Sequence, residues 1–216
     1  METINRQLCE WKDPAFIAKE LTRSFGEDGF IWLDGDGSQL GRWITIAVNP
    51  IDYVCCYGLP SQNNSENPFS KLRELKPGHW TGWLSYEAAA WLEPSNQWKK
   101  DSMPTLWMAS HDPIFKFDLA KYKFWIEGKN IRLIKKMKEW IARLPNSAES
   151  NYYDKKISIS KWKWHTNKIE FAEQVGRLKE LITKGDIFQA NLSACCTTQI
   201  PLEHSSLDIY LKLRAK

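Results

Sequence analysis

Apolar residues recur at helical spacing in four stretches of the chain. The clearest stretch follows Asn167, which stands three residues before Glu170, the spacing of a capping box. Its apolar stripe continues until Gly185, and glycine commonly ends helices. By the same signals of capping and periodicity we predict four helices, at residues 13–25, 131–144, 167–184 and from 205 onward.

Shorter apolar runs bounded by turn residues predict strands, at residues 30–33, 43–48, 52–57, 80–86, 114–117, 123–126 and 187–198. In the last run, KGDIFQANLS, apolar residues alternate with Gln189, Asn191 and Ser193. Such alternation is typical of a strand whose polar face meets either water or the floor of a site, and spacing alone leaves both open. Because strands and helices do not alternate regularly, we predict an α+β fold with largely antiparallel sheets packed with helices.

The composition is that of a globular protein and argues against several classes. The net charge is +4 without a dense basic block, which does not suggest a nucleic-acid partner. No apolar run approaches the roughly 18 residues that span a membrane, and the N-terminus lacks a signal-peptide core. Four of the five cysteines form two adjacent pairs, a pattern of neither a disulfide nor a CxxC metal clip. We expect a reducing, cytoplasmic setting.

A polar stretch at residues 146–155 is the best candidate for an internal boundary. It separates the helix predicted at 131–144 from a tryptophan-rich segment and the helix at 167–184. We therefore predict two domains, one at 1–150 and one at 151–216.

The residues alone offer no convincing set of catalytic acid, base and nucleophile. Asp34, Asp36 and Ser38 alternate like the start of a calcium loop, but the twelfth position is Thr45 where such a loop needs glutamate. The same segment lacks the Gly-Lys-Ser/Thr of a phosphate loop, and the four histidines are scattered. The glycine turn (residues 34–43) is therefore either a plain hairpin or a pocket for a small ligand.

Four motifs in order nevertheless resemble one family, the chorismate-utilising component I enzymes, which comprise anthranilate synthase and aminodeoxychorismate synthase. The motifs are WLDG with LGRW and NP (32–35, 40–43, 49–50), TGWLSYE (81–87), the segment from Met103-Pro104 to Phe117-Asp118, and GDIFQANLS (185–193). GDIFQANLS is the most specific of the four. Its form leans toward the aminodeoxychorismate branch.

The resemblance implies a two-lobed fold of packed antiparallel sheets and a Mg²⁺-dependent reaction on chorismate, with ammonia supplied by a glutamine amidotransferase subunit. Aminodeoxychorismate synthase replaces the C4 hydroxyl of chorismate with an amino group, on the route to 4-aminobenzoate and folate. One alternative is anthranilate synthase, on the route to tryptophan. A second is a non-catalytic module that docks the amidotransferase or binds an effector.

The resemblance also assigns a role to each part of the chain. Residues 1–150 correspond to the N-terminal domain of the anthranilate synthase component I-like fold, and 151–216 to the start of the chorismate-binding catalytic domain. In the family, the Mg²⁺-binding carboxylates and the catalytic residues lie in the C-terminal half. We therefore expect a truncated N-terminal fragment with no catalytic residue or metal ligand of its own, inactive alone. The strand at 187 and the helix at 207 should then leave apolar faces uncovered.

Two groups of site residues follow from the resemblance. The family's tryptophan-type effector pocket corresponds here to Gly35, Leu40, Gly41, Arg42 and Trp43. Because Gly35 replaces the serine whose hydroxyl would hold the effector's amino group, we expect weak or no tryptophan binding. The residues expected near the chorismate site are Gln189, Asn191 and Ser193.

Overall fold

The computed structural model describes residues 4–94, 98–99, 101–145 and 159–215. The chain divides into two compact units, Met1–Ala148 (unit 1) and Glu149–Lys216 (unit 2). The polar stretch predicted as a linker, at 146–155, lies outside the described residues. Each unit is therefore described by itself.

Unit 1 is built from antiparallel strands and helices. Its described strands are β1 (Asn5–Cys9), β2 (Ile31–Leu33), β3 (Trp43–Ala47), β4 (Asp52–Cys56), β5 (Trp80–Leu84), β6 (Leu106–Ser110), β7 (Ile114–Asp118) and β8 (Lys123–Gly128). Its described helices are α1 (Pro14–Phe25), α2 (Pro68–Glu74), a 3₁₀ helix (Tyr86–Trp91) and α3 (Ile131–Arg143). One sheet has the order β1-β8-β7-β3-β2 and a second has the order β4-β6-β5. All these pairings are antiparallel, which confirms the predicted α+β class.

The centre of the larger sheet is aromatic. Phe117 of β7 and Phe124 of β8 face each other across the pair, and both are fully buried. Their rings stack with centroids 4.3 Å apart and an interplanar angle of 2°. The edge of Trp11 contacts Phe117 at a centroid distance of 5.9 Å. This cluster removes a large apolar area from water in the middle of the sheet.

The helices of unit 1 begin at the residues that capping predicts. Asp13 caps α1, since its carboxylate accepts hydrogen bonds from the backbone N–H of Ala15 at 2.8 Å and of Phe16 at 3.1 Å. Asn130 caps α3 in the same way. α3 lies against β1 and β8. Its buried residues are Ile134, Met137 and Ile141.

Two strands of unit 1, β1 and β6, were not predicted from the sequence. β1 reads NRQLC, and its residues alternate between half-buried and exposed, so its hydrophobic pattern is weak. It is nevertheless a strand, because its backbone pairs with β8, and it forms one edge of the larger sheet. β6 lies between β4 and β5 and pairs with both. The backbones of β5 and β6 are so close at Gly82 that an added Cβ would lie 1.9 Å from the Trp107 carbonyl oxygen. Pairing with distant segments therefore determines both strands.

Unit 2 contains the predicted helix with its capping box. In α4 (Lys168–Lys184), the Asn167 side chain accepts from the Glu170 N–H at 2.9 Å, and the Glu170 carboxylate accepts from the Asn167 N–H at 3.2 Å. Gly185 ends α4 with a φ of 81°, in the left-handed region that glycine adopts without strain. The last helix, α5 (Ser206–Arg214), also has a capping box. Both helix predictions are confirmed.

The predicted strand at 187–198 is wrong over most of its length. Only β10 (Cys196–Thr197) is a strand there, and it pairs with β9 (Lys163–Trp164). The segment from Ile187 to Cys195 has no regular structure. A strand exists only where its backbone N–H and C=O groups find a partner, and alternation of side chains does not provide one.

The expectation of an uncovered apolar face on the last helix is confirmed only in part. Leu207 and Leu211 of α5 are 7% and 1% exposed, whereas Tyr210 and Leu213 are 37% and 67% exposed. By contrast, no residue of α4 is buried, so its apolar stripe is only partly covered. Among the described residues, no helix has the length and apolar character needed to cross a membrane.

Candidate functional site

The glycine turn (residues 34–43) closes through its own hydrogen bonds. The backbone N–H of Gly37 donates to the Gly41 carbonyl oxygen at 3.0 Å. The Gly41 N–H donates to Ser38 Oγ at 3.0 Å, and the Ser38 N–H donates to Asp36 Oδ1 at 2.9 Å. Short polar side chains thus satisfy backbone groups of the turn, as is usual where the chain reverses sharply.

Gly35 and Gly41 approach each other closely across this turn. A Cβ added at Gly35 would lie 2.1 Å from the Gly41 carbonyl oxygen and 3.0 Å from the Trp43 carbonyl oxygen. A Cβ added at Gly41 would lie 2.0 Å from Asp36 Oδ1. Both distances are far below van der Waals contact, so this conformation requires glycine at both positions. A serine hydroxyl at position 35 has no room in it.

Arg42 leaves the turn and forms a two-pronged ion pair with Asp118 at the end of β7. Arg42 Nε donates to Asp118 Oδ1 at 2.6 Å, and Nη2 donates to Oδ2. The guanidinium also lies 4.5 Å from the centroid of the Trp43 ring, a cation–π contact. The hydrogen bonds from Arg42 lower the pKa of Asp118, and the same bonds raise the pKa of Arg42. The Arg42 side chain is therefore committed to a partner within unit 1.

Replacing Asp118 with asparagine should remove a pH-dependent part of the stability of unit 1. Because the pKa of Asp118 is lower in the folded state than its ordinary 3.8, the carboxylate stabilises the fold above that pH. This contribution is lost as the pH falls through the lower, folded pKa. We expect thermal unfolding from about pH 2 to pH 7 to show a smaller acid-side loss for Asp118→Asn than for the parent, and a lower melting temperature at pH 7.

The matched control for this change is Asp52→Asn, which neutralises an exposed carboxylate at the start of β4. Its melting curve should follow that of the parent at every pH. An unchanged acid-side loss in Asp118→Asn would contradict the role of the Arg42–Asp118 pair.

The side chains of two predicted pocket residues, Leu40 and Trp43, are exposed rather than enclosed by the turn. Leu40 is 98% exposed. Trp43 is half-exposed and contacts the edge of Trp125, with ring centroids 6.2 Å apart. The structure thus brings Gly35 and Gly41 together, attaches Arg42 to Asp118, and leaves the Leu40 side chain in solvent.

The residues expected near chorismate are all exposed. Gln189, Asn191 and Ser193 follow the left-handed Gly185 in a segment without regular structure. Phe188 in the same segment is 100% exposed. In GDIFQANLS, the polar side chains and Phe188 are therefore open to solvent, whereas Ile187 and Leu192 are half-buried.

Sequence reasoning assigned no role to Asp118, although it is a central polar residue of the turn region. Its side chain is 5% exposed and accepts hydrogen bonds from Arg42 and from the Lys121 N–H, the latter at 3.2 Å. The available signal was a carboxylate at the end of the largely apolar strand IFKFD. A buried carboxylate requires a cationic partner, but the sequence does not name which of the 30 Lys and Arg residues it is.

A site for the Mg²⁺ that the resemblance implies would need several metal-binding side chains close together. Over the described residues, no group of three or more His, Cys, Asp or Glu side chains is placed to hold a metal ion. The described part of the chain therefore does not fit a carboxylate-rich magnesium centre, which the resemblance places in the C-terminal half of the family's enzymes.

Comparison with known proteins identifies the family of the chain. Unit 1 is an antiparallel α+β domain, and the glycine turn and GDIFQANLS stand in the two units that follow one another along the chain. The family model for chorismate binding enzyme matches residues 32–216, which is most of the chain. The chain belongs to this family, and its function is related to that of the chorismate-utilising enzymes. Comparison with the curated proteins finds no match.

Proposed function

We propose that this chain supplies the N-terminal part of aminodeoxychorismate synthase component I, which replaces the C4 hydroxyl of chorismate with an amino group. The observation that carries the proposal is GDIFQANLS at residues 185–193, inside the span that matches the chorismate binding enzymes. The form of this motif leans toward the aminodeoxychorismate branch. Anthranilate synthase component I is the alternative within the family.

In this proposal, the two units have different roles. Unit 1 corresponds to the N-terminal domain and unit 2 to the start of the chorismate-binding domain. The exposed side chains of Gln189, Asn191 and Ser193 are available to the part of the enzyme that completes the chorismate site. That part would hold the catalytic Mg²⁺ and the acid and base residues, and a glutamine amidotransferase subunit would supply ammonia.

The test is reconstitution with the C-terminal half of a related component I enzyme. Both pieces are incubated with chorismate, Mg²⁺ and ammonium chloride, and the products are separated by chromatography. We expect 4-amino-4-deoxychorismate when both pieces are present and no product from this chain alone. The relative's own N-terminal half serves as the positive control.

Each other outcome of the reconstitution has a definite meaning. Anthranilate as the product contradicts the proposed branch and supports the alternative. No product, with an active positive control, contradicts the proposal. Changing Gln189 and Asn191 together to alanine should lower kcat/KM, whereas Gln199→Ala, an exposed amide in the same unit, should not.

A second candidate function is a non-catalytic module that docks the amidotransferase. It is favoured by the closed core of unit 1, which contains the fully buried Phe117, Phe124 and Ile126 and forms a compact unit by itself. Pull-down of the amidotransferase subunit with the 216-residue chain tests this candidate. A soluble chain that captures the subunit but gives no product after reconstitution would favour the module over the enzyme part.

A further inference from the structure

A groove lies on the surface of unit 1 between the end of α1 and the outer side of α3. Its volume is about 320 Å³, and it is lined by Phe25, Lys136, Met137, Glu139, Trp140 and Arg143. The groove is partly aromatic, since the rings of Phe25 and Trp140 meet with centroids 5.5 Å apart at an angle of 59°. Both residues are half-buried, so part of each ring is open to solvent. The groove can therefore receive an apolar side chain of another molecule.

α3 concentrates positive charge beside this groove. Its sequence, IRLIKKMKEWIAR, contains five Lys and Arg residues and a single Glu, and all of them are exposed. The buried residues of the helix are Ile134, Met137 and Ile141, so the charged residues lie on the sides that face solvent. A basic amphipathic helix of this kind is typical of a surface that meets an anionic partner.

Four cations of α3 make no ion pair and no side-chain hydrogen bond with any described residue. They are Arg132, Lys135, Lys136 and Arg143. Lys138 differs, since its Nζ donates to Gln7 Oε1 of β1 at 3.3 Å. The carbonyl groups at the end of the helix also have a cation already, because Lys12 Nζ donates to those of Leu144 at 3.3 Å and Pro145 at 3.2 Å. The four remaining cations are thus available to an external anion.

The cations are spaced along the helix on both sides of the aromatic ring of the groove. Lys136 stands four residues before Trp140 and Arg143 three residues after it, which makes them neighbours on one face of the helix. Arg132 lies one further turn before Lys136, so the row extends over about 16 Å. Glu139 is the one acidic residue in the lining, and the groove keeps a net positive charge. The arrangement is an apolar slot with a cation at each end.

We propose that this groove and its flanking cations form a docking surface for an acidic protein segment that inserts one aromatic or large aliphatic side chain beside Trp140. Carboxylates on either side of the inserted side chain would pair with Lys136 and Arg143. The complementary charges would steer the partner and fix its register, and the buried apolar side chain would supply most of the affinity. This surface does not depend on the chorismate reaction.

The same features favour a protein over other anionic partners. A membrane surface fits less well, because the apolar residues of α3 are buried in unit 1 and cannot enter a bilayer. A duplex nucleic acid presents phosphates to an exposed helix face and has no side chain to fill the groove. Charge and an apolar anchor together are the chemistry of an acidic polypeptide.

The test is fluorescence anisotropy of short labelled peptides titrated with the full chain. The first probe consists of Asp and Glu around one central Phe, and the second has Ser in place of that Phe. We expect the first probe to bind with a dissociation constant below about 0.1 mM at about 50 mM NaCl. Its affinity should fall at least about fivefold at about 300 mM NaCl, because salt screens exposed charges. The second probe should bind about tenfold more weakly, because it buries no ring.

Reversing two charges beside the groove tests the surface itself. The double variant Lys136→Glu and Arg143→Glu should lower the affinity for the first probe at least about tenfold. Both positions are exposed, so its melting temperature should stay close to that of the parent. The matched control is Arg177→Glu with Lys179→Glu, which makes the same charge change at exposed positions of α4 and should keep the affinity of the parent.

Three results with the peptides would overturn the proposal. They are no binding of the first probe up to about 0.1 mM chain, equal affinity for the two probes, and an equal loss of affinity in the α4 control. Phosphatidylserine vesicles and a duplex DNA are titrated in the same way. If either bound more tightly than the first probe and lost its affinity in the Lys136→Glu and Arg143→Glu variant, the surface would belong to a membrane or a nucleic acid instead of a protein.

Discussion

Replacing Gly35 with serine should lower the free energy of unfolding of unit 1 by about 2–3 kcal/mol and should not create a tryptophan site. The family's serine at this position would hold an effector's amino group, so the substitution restores the expected hydroxyl. In this structure, however, the new Cβ would lie 2.1 Å from the Gly41 carbonyl oxygen. Because that atom belongs to the backbone, the turn has to open and lose the Gly37–Gly41 hydrogen bond.

Two measurements test this prediction. Urea unfolding, monitored by the fluorescence of the protein's tryptophans, gives the stability, and isothermal titration with free tryptophan gives the affinity. Gly176→Ser is the matched control, because a Cβ added at Gly176 of α4 meets nothing within 4 Å. This control should be neutral or slightly stabilising, since serine has a higher helix propensity than glycine. Micromolar tryptophan affinity, in the parent or in Gly35→Ser, would show that the turn opens readily and that the pocket survives.

Truncating Phe117 to alanine should cost unit 1 about 3–5 kcal/mol, a large share of the stability of a domain of this size. The side chain is fully buried and stacks on Phe124 with ring centroids 4.3 Å apart. Its removal loses buried apolar area and the ring contacts with Phe124 and Trp11. It also leaves a cavity between packed strands. Guanidinium unfolding at constant pH measures the loss.

The control for Phe117→Ala is the same change at Phe188, which is 100% exposed. Its effect on unfolding should stay within about 0.5 kcal/mol. If Phe117→Ala were as mild as Phe188→Ala, the aromatic cluster of β7 and β8 would not be the centre of the core. A melting temperature that falls sharply for Phe188→Ala would instead indicate that GDIFQANLS packs against protein in solution.

The helices could be predicted because their signals are local. The capping box of Asn167 and Glu170 and the left-handed Gly185 depend on residues a few positions apart, and the structure contains both. Asp13 and Asn130 likewise cap α1 and α3. A helix satisfies its own backbone, so caps and apolar periodicity are nearly sufficient to define its bounds.

The strands could be predicted only where a partner happened to exist. The hydrophobic runs of β7 and β8 correctly indicated strands because the two pair with each other. The alternation in GDIFQANLS is as regular, yet no strand forms between Ile187 and Cys195. β1 has almost no pattern and is a strand because β8 lies beside it. Pairing is a property of distant segments, and a single segment does not contain it.

The sequence by itself determined the helices with their caps, the antiparallel α+β class and the order of motifs that places the chain among the chorismate binding enzymes. Only the tertiary structure decided the chemistry of the candidate sites. Arg42 and Asp118 are 76 residues apart in the chain, and the close approach of Gly35 to the Gly41 carbonyl oxygen depends on how the turn closes. The physical reason is that charge pairs, close backbone contacts and cavities depend on distances in space, whereas caps and periodicity depend on distances along the chain.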